Sequence, residues 1–192
     1  MSYSEIQGER NKMNQQEKDK IVRKLIDTNI TISTMESCTS GLIASMITDT
    51  EGASAVFPGG YVTYLNKTKI LCGVDEKIIK EHGVYSKQCA RAMAETAQKN
   101  LHTEIAVGIT GTTGNVDPNN ADSMQGKVFF CILVGEKAYD FEYNAEVTQM
   151  SRHEIKELYA DQVFEELAKL IDIVHSSSNL CCDSADNSSE AY

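Results

Sequence analysis

TISTMESCTSGLIASMITDT, residues 31–50, changes its periodicity twice. Thr31 to Met35 is a run rich in β-branched residues, Glu36 to Ser40 is small and polar, and Gly41 to Ile47 repeats apolar side chains at helical spacing. The pattern predicts strand, tight loop and helix. Such a loop gathers the hydroxyls of Ser37, Thr39 and Ser40, the Cys38 thiol and the unpaired N–H groups of a helix start at one point. Two uses are open: the hydroxyls cap the helix, or the point holds a nucleophile beside donors for an anion or a developing oxyanion.

Upstream, residues 1–14 are polar and are expected to be disordered. Asn14 with Glu17 three residues on has the form of a capping box, and Ile21, Val22, Leu25 and Ile26 give the following helix an apolar face. Downstream, Pro58, Gly59 and Gly60 punctuate the chain, Tyr61 to Tyr64 alternates as a strand, and Asn66 stands as the cap of a short helix carrying Lys67 and Lys69. Asp75 to His82 is a second short helix, stopped by Gly83. Ser86 caps a third, Lys87 to Asn100, with a small-residue stripe of Ala90, Met93, Ala94 and Ala97. Glu104 to Ile109 is a buried-strand candidate that runs into a second small-residue loop, Thr110 to Asn115, and residues 115–125 have the composition of a flexible connection. Gly126 to Val134 and Ala138 to Tyr143 form a hairpin, and Ser151 to about Val174 is a long helix. Residues 176–192 have the composition of a disordered tail.

At 192 residues and 21.2 kDa, this is most simply one domain, residues 15–175. A formal charge of −10 and a pI near 4.9 argue against nucleic-acid partners and anionic membranes. Residues 1–20 hold no apolar signal-peptide core and no run suits a membrane span, so a cytoplasmic location is expected. Cys38, Cys72, Cys89, Cys131, Cys181 and Cys182 form no CxxC pair, and the histidines follow no ligand spacing, so no metal site is expected. The element order α, β, α, β, α, α, α, β, β, β, α predicts the α/β class, a layered mixed sheet with helices on both faces. Ligands of such sheets bind beyond the carboxyl ends of parallel strands, so loops 36–41 and 110–115 should line one crevice.

Glu36-Ser37-Cys38-Thr39, Gly41-Leu42-Ile43, Ser54-Ala55-Val56-Phe57, Gly59-Gly60, Tyr64, Asn66, Lys69, Gly73-Val74, His82-Gly83-Val84, Ser86, Gly108 and Gly111 stand in one collinear order. In this the chain resembles the carboxy-terminal domain of the competence-damage inducible protein CinA, in its stand-alone form, over residues 15–174. The resemblance implies a nicotinamide-nucleotide amidohydrolase that converts nicotinamide mononucleotide (NMN) to nicotinate mononucleotide and ammonia in pyridine nucleotide salvage. It implies no cofactor, a small-molecule partner (NMN or a related pyridine nucleotide), and a homo-oligomer, for which the small-residue helix 87–100 is a candidate surface. On this resemblance Ser37 is the nucleophile, with Thr39 as runner-up; Lys69 is the general base, its pKa lowered by burial or by Lys67; and Tyr64 relays the proton or orients the amine. Implied substrate contacts are Thr39, Ser40, Gly41, Gly60 and Asn66, with Gly111, Thr112 and Arg152 toward the phosphate. The backbone N–H groups near Ser40 and Gly41 are the implied oxyanion donors. The chain departs from the family pattern at Ser40, where a glycine is usual, and after Gly111, where Thr112-Thr113-Gly114-Asn115 replaces Pro-Gly-Gly and only Gly126 survives of a later block. Those departures leave a second reading open, a non-catalytic nucleotide-binding or protein-interaction domain of the same fold.

Overall fold

The computed structural model describes residues 12–114, 117, 120 and 123–182, of which 172–182 as backbone only. The elements follow the expected order. They are α1 (Gln15–Thr28), β1 (Ile32–Glu36), α2 (Leu42–Thr48), a 3₁₀ turn (Ala53–Ala55), β2 (Gly59–Val62), α3 (Asn66–Cys72), α4 (Glu76–His82), α5 (Lys87–Leu101), β3 (Ile105–Gly111), β4 (Lys127–Val134), β5 (Lys137–Asn144) and α6 (Arg152–Cys182). The sheet order is β2-β1-β3-β4-β5, with β2, β1 and β3 parallel and β4 and β5 antiparallel.

Alternation along the central strand divides the core in two. Ile105, Val107 and Ile109 join Ile32, Val128 and Phe130 under α1, α2 and α6, whose Val22, Leu25, Ile43, Ile47, Val163 and Phe164 are buried there. Ala106 turns to the other face with Met35, Phe129 and Cys131, against Ala90, Met93, Ala94 and Ala97 of α5. A Cβ on Gly108 would collide with the backbone of Ala90 and Ala94, so this glycine lets α5 lie directly on the sheet. The small-residue stripe of α5 is therefore core, which corrects its expectation as an oligomer surface: small side chains were needed for close approach to the sheet.

Several boundaries differ from expectation, each for a reason outside the local sequence. The second strand is Gly59–Val62, with Gly60 opposite Thr34, and a Cβ on Gly60 would meet the Thr34 side chain. The glycines read as punctuation are thus paired strand residues, and Tyr64 lies beyond the strand. Asn66 is the first helical residue of α3 and makes no capping bond; Leu65 occupies the cap position. The capping box of Asn14 and Glu17 is formed. Just before it, Lys12 pairs with Glu157 at 2.7 Å and Met13 packs on the core, so the polar segment is tied down at least from Lys12. At the other end α6 continues to Cys182, because no glycine or proline interrupts residues 151–182. The remaining parts of both expected disordered ends, 1–11 and 183–192, lie outside the described residues.

No helix among the described residues is long and apolar enough to cross a membrane. Among the same residues no group of three or more His, Cys, Asp or Glu is placed to hold a metal ion.

Candidate active site

Because β1, β2 and β3 run parallel, their carboxyl ends reach the same edge of the sheet, and three chain segments leave together: Ser37 onward, Thr63 onward and Thr112 onward. They bound a cavity of about 280 Å³ whose wall includes Ser37, Cys38, Tyr64, Thr112, Asp117 and Arg152. The expectation that loops 36–41 and 110–115 share one crevice is met.

The loop after β1 is held by a residue with no role in the sequence reading. Glu36 is fully buried, and its carboxylate accepts the N–H groups of Gly41 (2.9 Å), Ile43 (3.2 Å) and Ala44 (2.8 Å) at the start of α2. A carboxylate satisfies those orphan donors and meets the positive end of the helix. Gly41 adopts φ +89° and Ser40 φ +56°, so the loop turns through two left-handed residues. Ser40, with a Cβ, adopts this left-handed turn at a steric cost that glycine would not carry. The Ser37 N–H donates to Ile109 O (3.1 Å), which fastens the loop to the end of β3.

Beneath the cavity, Lys69 Nζ lies 3.1 Å from Ser37 Oγ and donates a second bond of 2.8 Å to Thr63 O. Lys69 is 1% exposed and Ser37 7%. A helical residue reaches the serine here because β2 ends beside β1, so α3, which follows it, starts against the loop after Glu36. Burial lowers the Lys69 pKa from its ordinary 10.5. The groups that would oppose this are the Cys89 and Cys38 thiols, and burial pushes their own pKa values up, to about 11 and about 12. At neutral pH both are uncharged and lend the ammonium no support, and among the described residues no carboxylate lies within ion-pair distance of Lys69. The lowering comes from burial; Lys67 is exposed on α3 and is not among its causes. Cys38 packs into the core as expected, and with so high a pKa its thiol is a poor nucleophile.

The other expected site residues fall into two groups. Gly111, Thr112, Tyr64 and Arg152 border the cavity. Arg152 donates to the Tyr64 hydroxyl (3.1 Å) and has no carboxylate in ion-pair distance among the described residues. Tyr64 is 58% exposed and hydrogen-bonds neither Ser37 nor Lys69, so the expected relay through its hydroxyl is not built: the chain after β2 turns the ring to the rim, and the hydroxyl is spent on Arg152. The Thr112 hydroxyl donates to Met124 O, and its carbonyl accepts the Tyr159 hydroxyl (2.7 Å), so this threonine fixes the loop rather than offering a free hydroxyl. Thr39, Ser40, Gly41, Gly60 and Asn66 do not border the cavity. Thr39 is fully buried beneath the loop, its hydroxyl unpaired among the described residues; Gly60 is committed to Thr34, and Asn66 opens α3. The Ser40 N–H donates to Ser37 O (3.1 Å) and that of Gly41 to Glu36, so neither is available to an oxyanion. Among the described residues the loop N–H groups with no oxygen acceptor belong to Cys38 and Thr39, and both lean toward the Cys38 sulfur.

Sequence reasoning passed over Glu36, Thr63, Tyr85 and Asp117. Tyr85 and Asp117 both border the cavity, and the Tyr85 hydroxyl donates to Asp117 Oδ2 (2.8 Å). Only Glu36 had a local signal, a carboxylate placed just ahead of a helix start.

The profile of the CinA C-terminal domain matches residues 14–171. The chain belongs to the CinA C-terminal domain family. A Mycoplasma pneumoniae protein is 35% identical over 153 residues, covering 79% of this chain and 94% of that protein. A CinA-like protein of Mycobacterium marinum is 41% identical over 121 residues, covering 62% of this chain but 27% of that longer protein. Among solved structures, a CinA superfamily protein of Klebsiella pneumoniae superposes with a TM-score of 0.76 at 18% identity, covering 83% of this chain and 99% of that one; this likeness shows the fold.

Proposed function

We propose that this CinA-family domain is an amidohydrolase acting on NMN or a close pyridine nucleotide. The observation that carries the reading is the buried Lys69 amine 3.1 Å from the Ser37 hydroxyl at the wall of a cavity. A lysine at 1% exposure with no carboxylate in ion-pair distance among the described residues costs stability. A non-catalytic domain of the same fold would gain from replacing it with an apolar residue, whereas a Ser-Lys acyl transfer needs a neutral amine there. At about 280 Å³ the cavity sits near the lower end of small-molecule sites, roughly 300–1,000 Å³, which suits a mononucleotide better than a dinucleotide.

In this reading neutral Lys69, held by Thr63 O, takes the Ser37 proton as Oγ attacks the carboxamide carbon. The N–H of Cys38, which borders the cavity next to Ser37, is the main-chain donor placed to meet the oxyanion that forms. The lysine ammonium then gives its proton to the departing nitrogen, the C–N bond breaks, and ammonia leaves a Ser37 ester. Water, deprotonated by the same amine, attacks that ester; as the second tetrahedral species collapses, the Lys69 ammonium returns the proton to the departing Ser37 Oγ and the acid is released. Arg152, at the rim without a carboxylate partner among the described residues, is the phosphate ligand.

Ammonia release from NMN by the wild-type protein tests the activity, and none at saturating NMN with nucleotide binding intact would refute it for this substrate. Arg152→Ala is expected to raise KM for NMN about tenfold with little change in kcat, the loss of one exposed charge-assisted contact. Nicotinamide riboside, which lacks the phosphate, should be turned over by both proteins with nearly equal KM. An equal loss on both substrates would remove Arg152 from phosphate binding.

A further inference from the structure

The cavity carries a second charged group that the hydrolysis does not use. Asp117 borders it, half-buried, with Oδ2 accepting the Tyr85 hydroxyl at 2.8 Å and the side-chain amide of Asn120. Its main-chain N–H donates to Ser123 Oγ (2.8 Å), and Ser123 Oγ donates in turn to the Asp117 carbonyl (3.2 Å), so the residue is positioned from both sides. Tyr85 borders the same space, whose wall also includes Ser37, Tyr64 and Arg152.

One small space thus offers a nucleophile, a cation for an anionic group, and a carboxylate flanked by an aromatic ring. A carboxylate and a π-face are the pair that favours an organic cation, and the carboxylate works against an anionic or neutral ring. We infer that Asp117, positioned by Tyr85, is a specificity residue that selects a positively charged N-substituted pyridinium over the same ring in neutral form. The inference rests on the amidohydrolase reading for the orientation of the substrate, with the carboxamide at Ser37 and the phosphate at Arg152. The ring nitrogen of NMN carries the positive charge that Asp117 would meet. Free nicotinamide and the reduced dihydropyridine nucleotide lack that charge.

The test is a calorimetric titration of the Ser37→Ala protein, which cannot turn the ligand over, with NMN and with its reduced dihydropyridine form, which keeps the phosphate, ribose and carboxamide. NMN should bind about tenfold tighter or better. Adding Asp117→Asn, which keeps an acceptor for Tyr85, should abolish most of that preference by weakening NMN about tenfold and the reduced form less than about twofold. Tyr85→Phe should lower the preference in the same direction by a smaller factor, and it carries the test should Asp117→Asn fail to fold. Equal weakening of both ligands would mark Asp117 as structural, and no change in either, or equal affinity in the parent protein, would equally overturn the inference. A protein that discriminates the two ligands yet releases no ammonia from NMN would keep the subsite and lose the hydrolase. A protein that hydrolyses NMN without discriminating would do the reverse.

Discussion

Lys69→Met is expected to lower kcat/KM for NMN by about 10³-fold, the middle of the range for losing a general base, while leaving the domain as stable as before or more so. Both halves follow from the same burial. The amine is 1% exposed and bonded to Ser37 Oγ and Thr63 O, and methionine fills nearly the same volume without a polar head to desolvate. Because the folded-state pKa lies below 10.5, the unfolded chain holds more protons in the window between the two values, and wild-type stability rises with pH across that window. Below the folded-state pKa both states are protonated and the whole cost of burying the ammonium is present. The stability advantage of Lys69→Met over wild type should therefore be largest on the acid side and narrow as pH approaches 10.5. Urea unfolding at several pH values measures it, and an advantage that widened with pH would contradict the burial account. The same lowered pKa should appear as an acid limb in the wild-type rate profile, with kcat/KM rising with pH as the amine becomes neutral. A variant that retained a tenth or more of the wild-type rate would remove Lys69 from the role of base.

Glu36→Ala should damage the fold more than any other change at the site. It removes a fully buried acceptor for three main-chain N–H groups at the start of α2, that of Ile43 buried and those of Gly41 and Ala44 half-buried. With each stranded buried donor costing about 1–3 kcal/mol and partial relaxation of the loop, the expected loss is about 3–5 kcal/mol. In a domain of this size that lowers Tm by on the order of 10 °C. Glu36→Gln should lose less, since its carbonyl oxygen still accepts while its amide faces a donor. Calorimetry on the two variants checks the order. Activity measured well below the Tm of Glu36→Ala should also fall, because Ser37 follows Glu36 directly and its position depends on the same anchor. A variant as stable as wild type would mean that the three bonds do not hold the loop.

The parts of this architecture that could be read from sequence are those whose causes are local. The helix that opens at Asn14 announces itself by its cap and apolar face, and the β1–loop–α2 unit by its change of period. What local pattern misjudged was decided by contacts across the molecule. Gly59 and Gly60 read as a break because their partner, Thr34, lies on a strand far upstream, and the alanines of α5 suited an oligomer surface as well as the sheet they cover. At the site, Ser37 and Lys69 are 32 residues apart, and nothing in their spacing says that they touch. Their pairing was legible only through the order of motifs shared with the family. The N–H groups of Ser40 and Gly41 are taken because the Ser37 carbonyl and Glu36 claim them, a pairing that no local pattern announces. Asp117 was hidden in a stretch whose composition reads as a plain connection.

The central claim is that Ser37 is the acylated residue. Acid-quenching the wild-type enzyme during NMN turnover and mapping peptides by mass spectrometry tests it directly. The account predicts a nicotinate mononucleotide ester on Ser37, absent from Ser37→Ala and still formed in Thr39→Ala. An ester on Thr39 or Cys38, or ammonia release that survives in Ser37→Ala, would contradict it.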